Sequence, residues 1–546
     1  MTVSQTTPNS KPGKKTAESV ADRLIKCAGE VELFHDQGGD AYATVPVRHH
    51  RETYAIRSRA FRRWLSRVFY RATKGVASAQ SVTDAVAVFE GRALFDGKEL
   101  PVYLRVAEYD GVVYLDLANE TWQVVEIRPD GWRVIDDSPV KFRRPGGMKA
   151  LPTPVPGGSI NELRPFVNVA SDEDFMLLVA FILVALRPVG PYFVLILLGE
   201  QGSAKSWLVR FVRQLVDPNI SPLRCEQKDV RDLVIMAHNG WLIPLDNLSS
   251  LPHWLSDALC RLSTGGGFST RELYTDSDEV IFSSSRPILL NSIEEFDTRG
   301  DLHDRSIRLT LPTIPDDQRR SERELSSAFD NAQARILGAL LDGVSTALRN
   351  LDDVQLDEIP RMADAIEWVE AAAPAFDWEP GEFLAVYRAN RAAGHDLALD
   401  ASPVAPVLLS YIETLDGETR TGTATDLLTI LNRHAGYEDE DGKPCKRLPK
   451  GWPSKSHVLG GLLRRIAPDL RAVGVAIEFD RETSSGRRRL ITIGKLHRDD
   501  SPDGNLDSES DGPDSRNAIA DGPDGSDSNL RFSEHAAKAG RAVYSI

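Results

Sequence analysis

From Tyr192 to Leu198 every position is apolar, and the chain then turns abruptly small and polar at Gly199-Glu200-Gln201-Gly202-Ser203-Ala204-Lys205-Ser206. An apolar run of this length, closed by turn residues, predicts a strand running into a loop. Immediately afterwards Trp207, Leu208, Phe211, Val212 and Leu215 recur at helical spacing and predict a helix to Val216. Two more short apolar runs, Trp241–Leu245 and Pro287–Leu290, each stop at a polar residue, Asp246 and Asn291. Phe175–Leu186 is apolar on every side, too short to span a bilayer and cut by Arg187-Pro188, so it predicts a helix buried beside this sheet.

The flanking regions carry different periods. Helices are expected near Ala17–Gly29 and over Arg57–Lys74, the latter with Phe61, Trp64, Leu65, Val68 and Phe69 on one face. Strands are expected at Val102–Ala107, Val112–Leu117, Gln123–Ile127 and Trp132–Ile135, and Asp110-Gly111 and Asp130-Gly131 between them predict a small β-meander. Asp116 reads as a strand or turn residue, because no second acid stands two positions away. Toward the C-terminus, helices are expected at Pro403–Leu415, Thr423–His434 (Thr423 as N-cap) and Ser454–Ala467, then strands at Val475–Phe479 and Arg489–Ile493 around the basic turn Thr483–Arg488.

The 546 residues thus divide into a polar, disordered start (1–16), an α+β domain (17–150), a Pro/Gly linker (151–160), an α/β domain (161–325), a helical segment (326–400), a small C-terminal domain (403–495) and a disordered acidic tail (497–546). The net charge of −15 is unevenly spread: from Asp499 onward eleven acids face four bases, leaving −8 for the body. Global acidity argues against passive coating of DNA while leaving local basic patches free to bind it. Cys27, Cys225, Cys260 and Cys445 form neither a C-x-x-C pair nor a zinc spacing, and the N-terminus has no apolar signal core, so a reduced, cytoplasmic setting with no membrane contact is expected.

The strongest chemical signal is the loop at 199–206. It fits G-x-x-x-x-G-K-[ST] except that Ala204 occupies the last Gly position. Small residues let backbone N–H groups curl around phosphate oxygens, Lys205 reaches the β/γ-phosphates, and the Ser206 hydroxyl suits Mg²⁺. Gly199, Glu200, Gln201, Gly202, Ser203 and Ala204 complete the cradle, and the following helix turns its N-terminus to the anion. Asp246, at a strand end, is placed to hold Mg²⁺ through water, or is a strand-end turn residue. The next position, where a second acid could orient water, is Asn247. Thr264-Gly265-Gly266-Gly267 follows, then Asn291, suited to sensing a γ-phosphate, and Arg305, just ahead of another predicted strand.

In this order the motifs resemble those of the superfamily 3 helicases, most closely the poxvirus-type primase-helicase ATPases of phages and integrative elements. The resemblance covers about Phe175 to Leu311. It implies an AAA+-like P-loop ATPase core, ATP and Mg²⁺ as cofactors, a homo-oligomeric ring that is usually hexameric, and movement on DNA. Lys205 and Ser206 take the Walker A roles, Asp246 the Walker B role and Asn291 the sensor role. Arg305 is the finger that reaches a neighbouring subunit. The family carries Lys or His at the tip of the hairpin after the glycines; here the tip reads Leu273-Tyr274-Thr275-Asp276, with Arg271 the nearest base and Tyr274 able to stack on a nucleotide base.

Two basic surfaces remain. The C-terminal pattern has the layout of a winged helix, with Arg487, Arg488 and Arg489 on the wing and Lys455, Arg464 and Arg465 on the third helix, suited to DNA backbone or groove contacts or to a protein-docking role with a solvated turn. Arg59, Arg62, Arg63, Arg67 and Arg71 form either a solvated face or a nucleic-acid contact. The expected function is an ATP-dependent DNA helicase of mobile-element replication. The alternatives are a DNA-binding ATPase switch without processive unwinding and a defence or phage-interference ATPase.

Overall fold

The computed structural model describes residues 18–224, 227–271, 279–282, 285–292, 300–481 and 488–496. These form two compact units. The first holds the residues up to Ser402 together with Leu463–Asp469, and the second Pro403–Leu462 and the residues from Leu470 on.

The first unit opens with α1 (Val20–Ala28), the antiparallel strands β1 (Glu32–His35), β2 (Ala41–Val47) and β3 (His50–Ala55), then α2 (Arg59–Thr73), α3 (Ala79–Phe95) and the short β4 (Lys98–Glu99). The sheet order is β3-β2-β1-β4. Ser19 and Ser58 cap α1 and α2 as their sequences require, each accepting a backbone N–H three residues on. Phe61, Trp64, Leu65 and Phe69 of α2 bury against Leu24, Ala43, Val45, Val86 and Phe89 in a core of their own.

Next come β5 (Val102–Tyr103) and the meander β6 (Val106–Tyr109), β7 (Val112–Asp116), β8 (Val124–Arg128) and β9 (Gly131–Ile135), in the order β6-β7-β8-β9, followed by β10 (Lys141–Phe142). The first predicted strand is broken in two at Leu104-Arg105. Asp110 and Gly111 both take positive φ (55° and 72°), the geometry a two-residue Asp-Gly hairpin demands. The buried carboxylate of Asp116 ends β7, accepting from Arg144 Nε at 2.9 Å and from the Ala118 N–H at 3.0 Å.

The central layer is built from α4 (Asp172–Ala185), β11 (Val194–Leu198), α5 (Lys205–Val216), α6 (Val230–Asn239), β12 (Ile243–Leu248), α7 (His253–Thr264), the hairpin β13 (Phe268–Arg271) and β14 (Glu279–Phe282), β15 (Ile288–Ser292), α8 (Gly300–His303) and β16 (Ser306–Thr310). The parallel sheet runs β12-β15-β11-β16, so β11, the strand predicted ahead of the loop, is internal. Its residues alternate between two cores. Leu195 and Leu197 pack with α4, α5 and the three helices that follow, α9 (Glu322–Asn350), α10 (Ala363–Ala372) and α11 (Glu382–Asp400). Val194, Ile196 and Leu198 pack with α6 and α7. Helix α4 is buried from Phe175 through Ala185, and no helix among the described residues is long and apolar enough to cross a membrane.

The meander's Val106, Val113, Leu115, Val125 and Ile127 belong to the same core as α4, α5 and α9, so the hydrophobic cores separate ahead of it. Ser345 of α9 donates to the Arg128 carbonyl at 2.6 Å, and Trp132 Nε1 donates to Asp342 at 2.8 Å.

The second unit contains α12 (Ala405–Glu413), β17 (Arg420–Thr423), α13 (Ala424–His434), the greater part of α14 (Ser456–Ala472), β18 (Val475–Arg481) and β19 (Arg489–Lys495), with sheet order β17-β19-β18. Thr423 caps α13 in a full capping box with Asp426.

Candidate nucleotide-binding site

The loop between β11 and α5 leaves the sheet at the C-terminal end of its parallel strands, where doubly wound sheets place ligands. Its shape comes from three positive-φ residues. Gly199 (φ 141°) could not carry a Cβ, which would lie 2.6 Å from the Leu311 carbonyl oxygen. Gly202 (φ 87°) would set a Cβ 2.9 Å from the Arg319 guanidinium. Ala204 (φ 63°, ψ 24°) holds the left-handed conformation that the usual glycine would take freely. It stands at the N-cap of α5 with no side-chain cap, so the first N–H groups of that helix are left to face the loop.

Lys205 folds back into the loop. Its Nζ donates to the Gly199 carbonyl at 2.5 Å, the Glu200 carbonyl at 2.8 Å and Ser203 Oγ at 3.3 Å. Burial holds its ammonium below the usual lysine range, and the Asp246 carboxylate pulls the other way. Ser206 Oγ donates to Asp246 Oδ1 at 3.2 Å, and Asn291 Nδ2 donates to the same Oδ1 and to Ser206 Oγ at 3.3 Å. Three chain segments, 40 and 45 residues apart from Asp246, therefore meet at one carboxylate oxygen. A bulge between Leu245 and Leu248 in β12, with Asn247 at φ 56°, shapes the backbone on either side of Asp246. Asn247 itself is exposed.

Arg305 does not join this group within the chain. Its carbonyl accepts from the Val194 N–H at 2.9 Å, which fixes it at the N-terminal end of β11, the end of the sheet opposite the phosphate loop. Its guanidinium pairs with Asp301 Oδ1 at 2.6 Å and is 12% exposed. Arg361 also reaches Asp301, and Asp304 takes Arg361 at 3.1 Å and Arg391 at 2.6 Å.

Of the residues expected to meet DNA, Tyr274 and Arg487 lie outside the described residues; Arg271 ends β13. Lys455, Arg464 and Arg465 are exposed at or on α14, and Arg488 and Arg489 are exposed at the start of β19.

Some neighbours of the site have no local signature. Asn168 Nδ2 donates to the Ser203 carbonyl at 3.2 Å and the Pro312 carbonyl at 2.6 Å, tying the loop to the chain after β16. Ile314 N–H reaches the Gly202 carbonyl at 3.3 Å. Beneath the site, Asp217 at the end of α5 accepts from Arg105 and from the backbone of Trp241 and Leu242, coupling α5 to the start of the strand that carries Asp246. Only the Gly-rich loop could have drawn attention to this surrounding shell, through its need for a backbone clamp.

Residues 160–398 match the family model of the actinomycete integrative conjugative element replication protein, and residues 404–507 match that of the AICE RepA C-terminal domain. No curated protein matches the chain. Among solved structures it is similar to an SCCmec type IV Cch described as an active helicase, with 12% identity over 86% of this chain and 93% of that one and a TM-score of 0.45. It is similar also to the A form of the apo NrS-1 C-terminal region, with 12% identity over 86% and 99% and a TM-score of 0.38. The two family matches follow one another along the chain, and both are to the replication protein of actinomycete integrative conjugative elements, the first to the protein and the second to its C-terminal domain.

Proposed function

We propose that this chain is a mobile-element replication protein and an ATP-dependent DNA helicase with an AAA+-like P-loop core, working as a homo-oligomeric ring, hexameric by the resemblance of its motifs. The observation that carries the reading is the meeting of Ser206, Asp246 and Asn291 at one oxygen beside the buried Lys205. The group fits a magnesium nucleotide: two hard oxygen donors stand together, an ammonium lies inside a loop of small residues, and a helix N-terminus faces the same space. Ser206 and Asp246 would hold Mg²⁺, which would neutralise charge between the β- and γ-phosphates. Lys205 would exchange its carbonyl partners for phosphate oxygens, the loop N–H groups would wrap the β-phosphate, and Asn291 would orient toward the γ-phosphate. With Asn247 unable to take a proton, Asp246 or another acid would orient the attacking water. Arg305 would act on a neighbouring copy's γ-phosphate after exchanging Asp301 for it. The C-terminal segment 403–495, read as a winged helix, would use Lys455, Arg464, Arg465, Arg487, Arg488 and Arg489 on DNA.

A DNA-binding ATPase switch is the second reading, favoured by Asn247 and by the tie between Arg305 and Asp301. Forked DNA with ATP separates them. Unwinding that requires hydrolysis supports the helicase; active ATPase and intact rings without unwinding support the switch and refute the motor.

A further inference from the structure

Helix α2 lies ahead of both segments matched to the replication family, and its exposed side carries a uniform charge. In a chain of net charge −15, the stretch between Glu52 and Asp84 contains seven bases and no acid. At 100° per residue, Arg59, Arg62, Arg63, Arg67, Arg71 and Lys74 fall on one half of the helix, opposite the buried Phe61, Trp64, Leu65 and Phe69. All six bases are exposed.

Among the described residues, Arg59, Arg62, Arg63, Arg67 and Arg71 enter no ion pair, whereas nearby Arg57 pairs with Glu90 at 2.6 Å. Glu52 is already engaged by His50 at 2.8 Å and by the Tyr54 hydroxyl. The spacing is self-repelling: Arg59–Arg63, Arg63–Arg67 and Arg67–Arg71 are successive i,i+4 like-charge pairs. Arg59 and Arg62 also stand in the first turn, where the helix dipole disfavours cations and no acid offsets them. A stable surface helix has no use for this arrangement. A ligand bearing regularly spaced negative charge would relieve every part of it.

We propose that this α2 face is a docking surface for the phosphate backbone of duplex DNA, separate from the nucleotide site. The stripe from Arg59 to Arg71 is about 18 Å long at 1.5 Å per residue, about five base steps at 3.4 Å per step. Arginine suits phosphate through its planar fork of donors. The face offers five guanidinium groups for phosphate neutralisation and carries no Asn or Gln, the side chains that read adenine. Tyr70, 54% exposed, is the large aromatic on this face, and one ring is a poor platform for single strands, which are held by successive stacked bases. The match of residues 160–398 to a replication protein of a conjugative element, on which this inference rests together with the proposed function, makes DNA the relevant polyanion.

The test uses the full chain without nucleotide and a fluorescent duplex, with affinity measured against salt. Replacing Arg63, Arg67 and Arg71 by Gln should make the slope of log K against log salt shallower by about 2–3, at about 0.9 per lost phosphate contact, and weaken binding on the order of 10²-fold at 0.1 M salt. The triple Lys variant should restore most of both, since counterion release follows charge. Lys205→Ala should bind the duplex as the native chain does, which keeps this result apart from any failure of the nucleotide site. An unchanged slope in the Gln variant with its helical signal intact, or an equal loss on single-stranded and duplex DNA, would overturn the proposal.

Discussion

Asp217 offers a demanding test of how the body of the protein holds its site. One carboxylate oxygen accepts from Arg105 Nε at 3.3 Å and Nη2 at 3.1 Å; the other accepts from the N–H groups of Trp241 at 3.0 Å and Leu242 at 3.3 Å. Arg213 stands 3.7 Å away. All three charged side chains are 0–1% exposed, and burial pushes the Arg213 guanidinium down to about 10 against the pull of Asp217. Asp217→Asn keeps the shape and removes the charge, leaving two guanidinium groups out of water with no counter-charge among these contacts. Breaking a buried pair from one side costs about 3–5 kcal/mol. For domains of 150–250 residues 1 kcal/mol moves Tm by about 2–4 °C, and less for larger ones, so a fall of about 5–10 °C is expected. Because Asp217 links the end of α5 to the start of β12, the loss should also loosen Ser206 against Asp246 and raise the KM for ATP. Thermal unfolding followed by tryptophan fluorescence reads the first effect and steady-state ATPase the second. Adding Arg105→Met to Asp217→Asn should recover part of the stability, since one stranded charge is removed. If the single variant melts within about 2 °C of the native chain, the buried cluster is not holding these elements together.

Three further outcomes are expected. Ala204→Gly should stabilise the chain by about 0.5–1 kcal/mol, because left-handed strain of about 1–2 kcal/mol is relieved and the added unfolded-state entropy takes back about 0.4–1 kcal/mol; a lower denaturation midpoint would contradict this. Burial, then the neighbouring Arg308, pushes the His303 imidazole down to about 2. The unfolded chain therefore takes that proton first, and stability falls as pH drops below about 6.5, by about 1.4 kcal/mol at pH 5.5 from this group. His303→Gln should lose that share of the acid sensitivity in melts at the two pH values, and an unaltered pH slope would refute it. Arg305→Ala should keep ATP binding and lose hydrolysis, and mixing it with Lys205→Ala should restore turnover; no recovery on mixing would remove the finger assignment.

The sequence exposed those parts of the protein whose physics is local. An apolar strand, a small-residue loop and an amphipathic helix in succession announce β11, the loop and α5, and Asp-Gly announces the β6–β7 and β8–β9 turns. Thr423 with Asp426 announces a helix start. Elements without a local period stayed hidden. Strand β17 is Arg-Thr-Gly-Thr, with no apolar position to alternate, and exists through its backbone pairing with β19. Helix α3 has Val82, Ala85, Val86, Phe89 and Ala93 at helical spacing, blurred by exposed Val88 and Phe95. Long-range placement was beyond reach for the same reason. Arg105 and Asp217 are 112 residues apart, and Trp132 and Asp342 are 210 apart. In the candidate site, the motif singled out Lys205, Ser206, Asp246 and Asn291, which the fold brings together, whereas Asn168 meets the loop through one amide that no pattern marks.

The most direct measurement is the rate of phosphate release from ATP by the full chain with Mg²⁺ and DNA, compared with Lys205→Ala at matched folding. The account predicts measurable turnover in the native chain and none above background in the variant. Equal rates in the two proteins would contradict it.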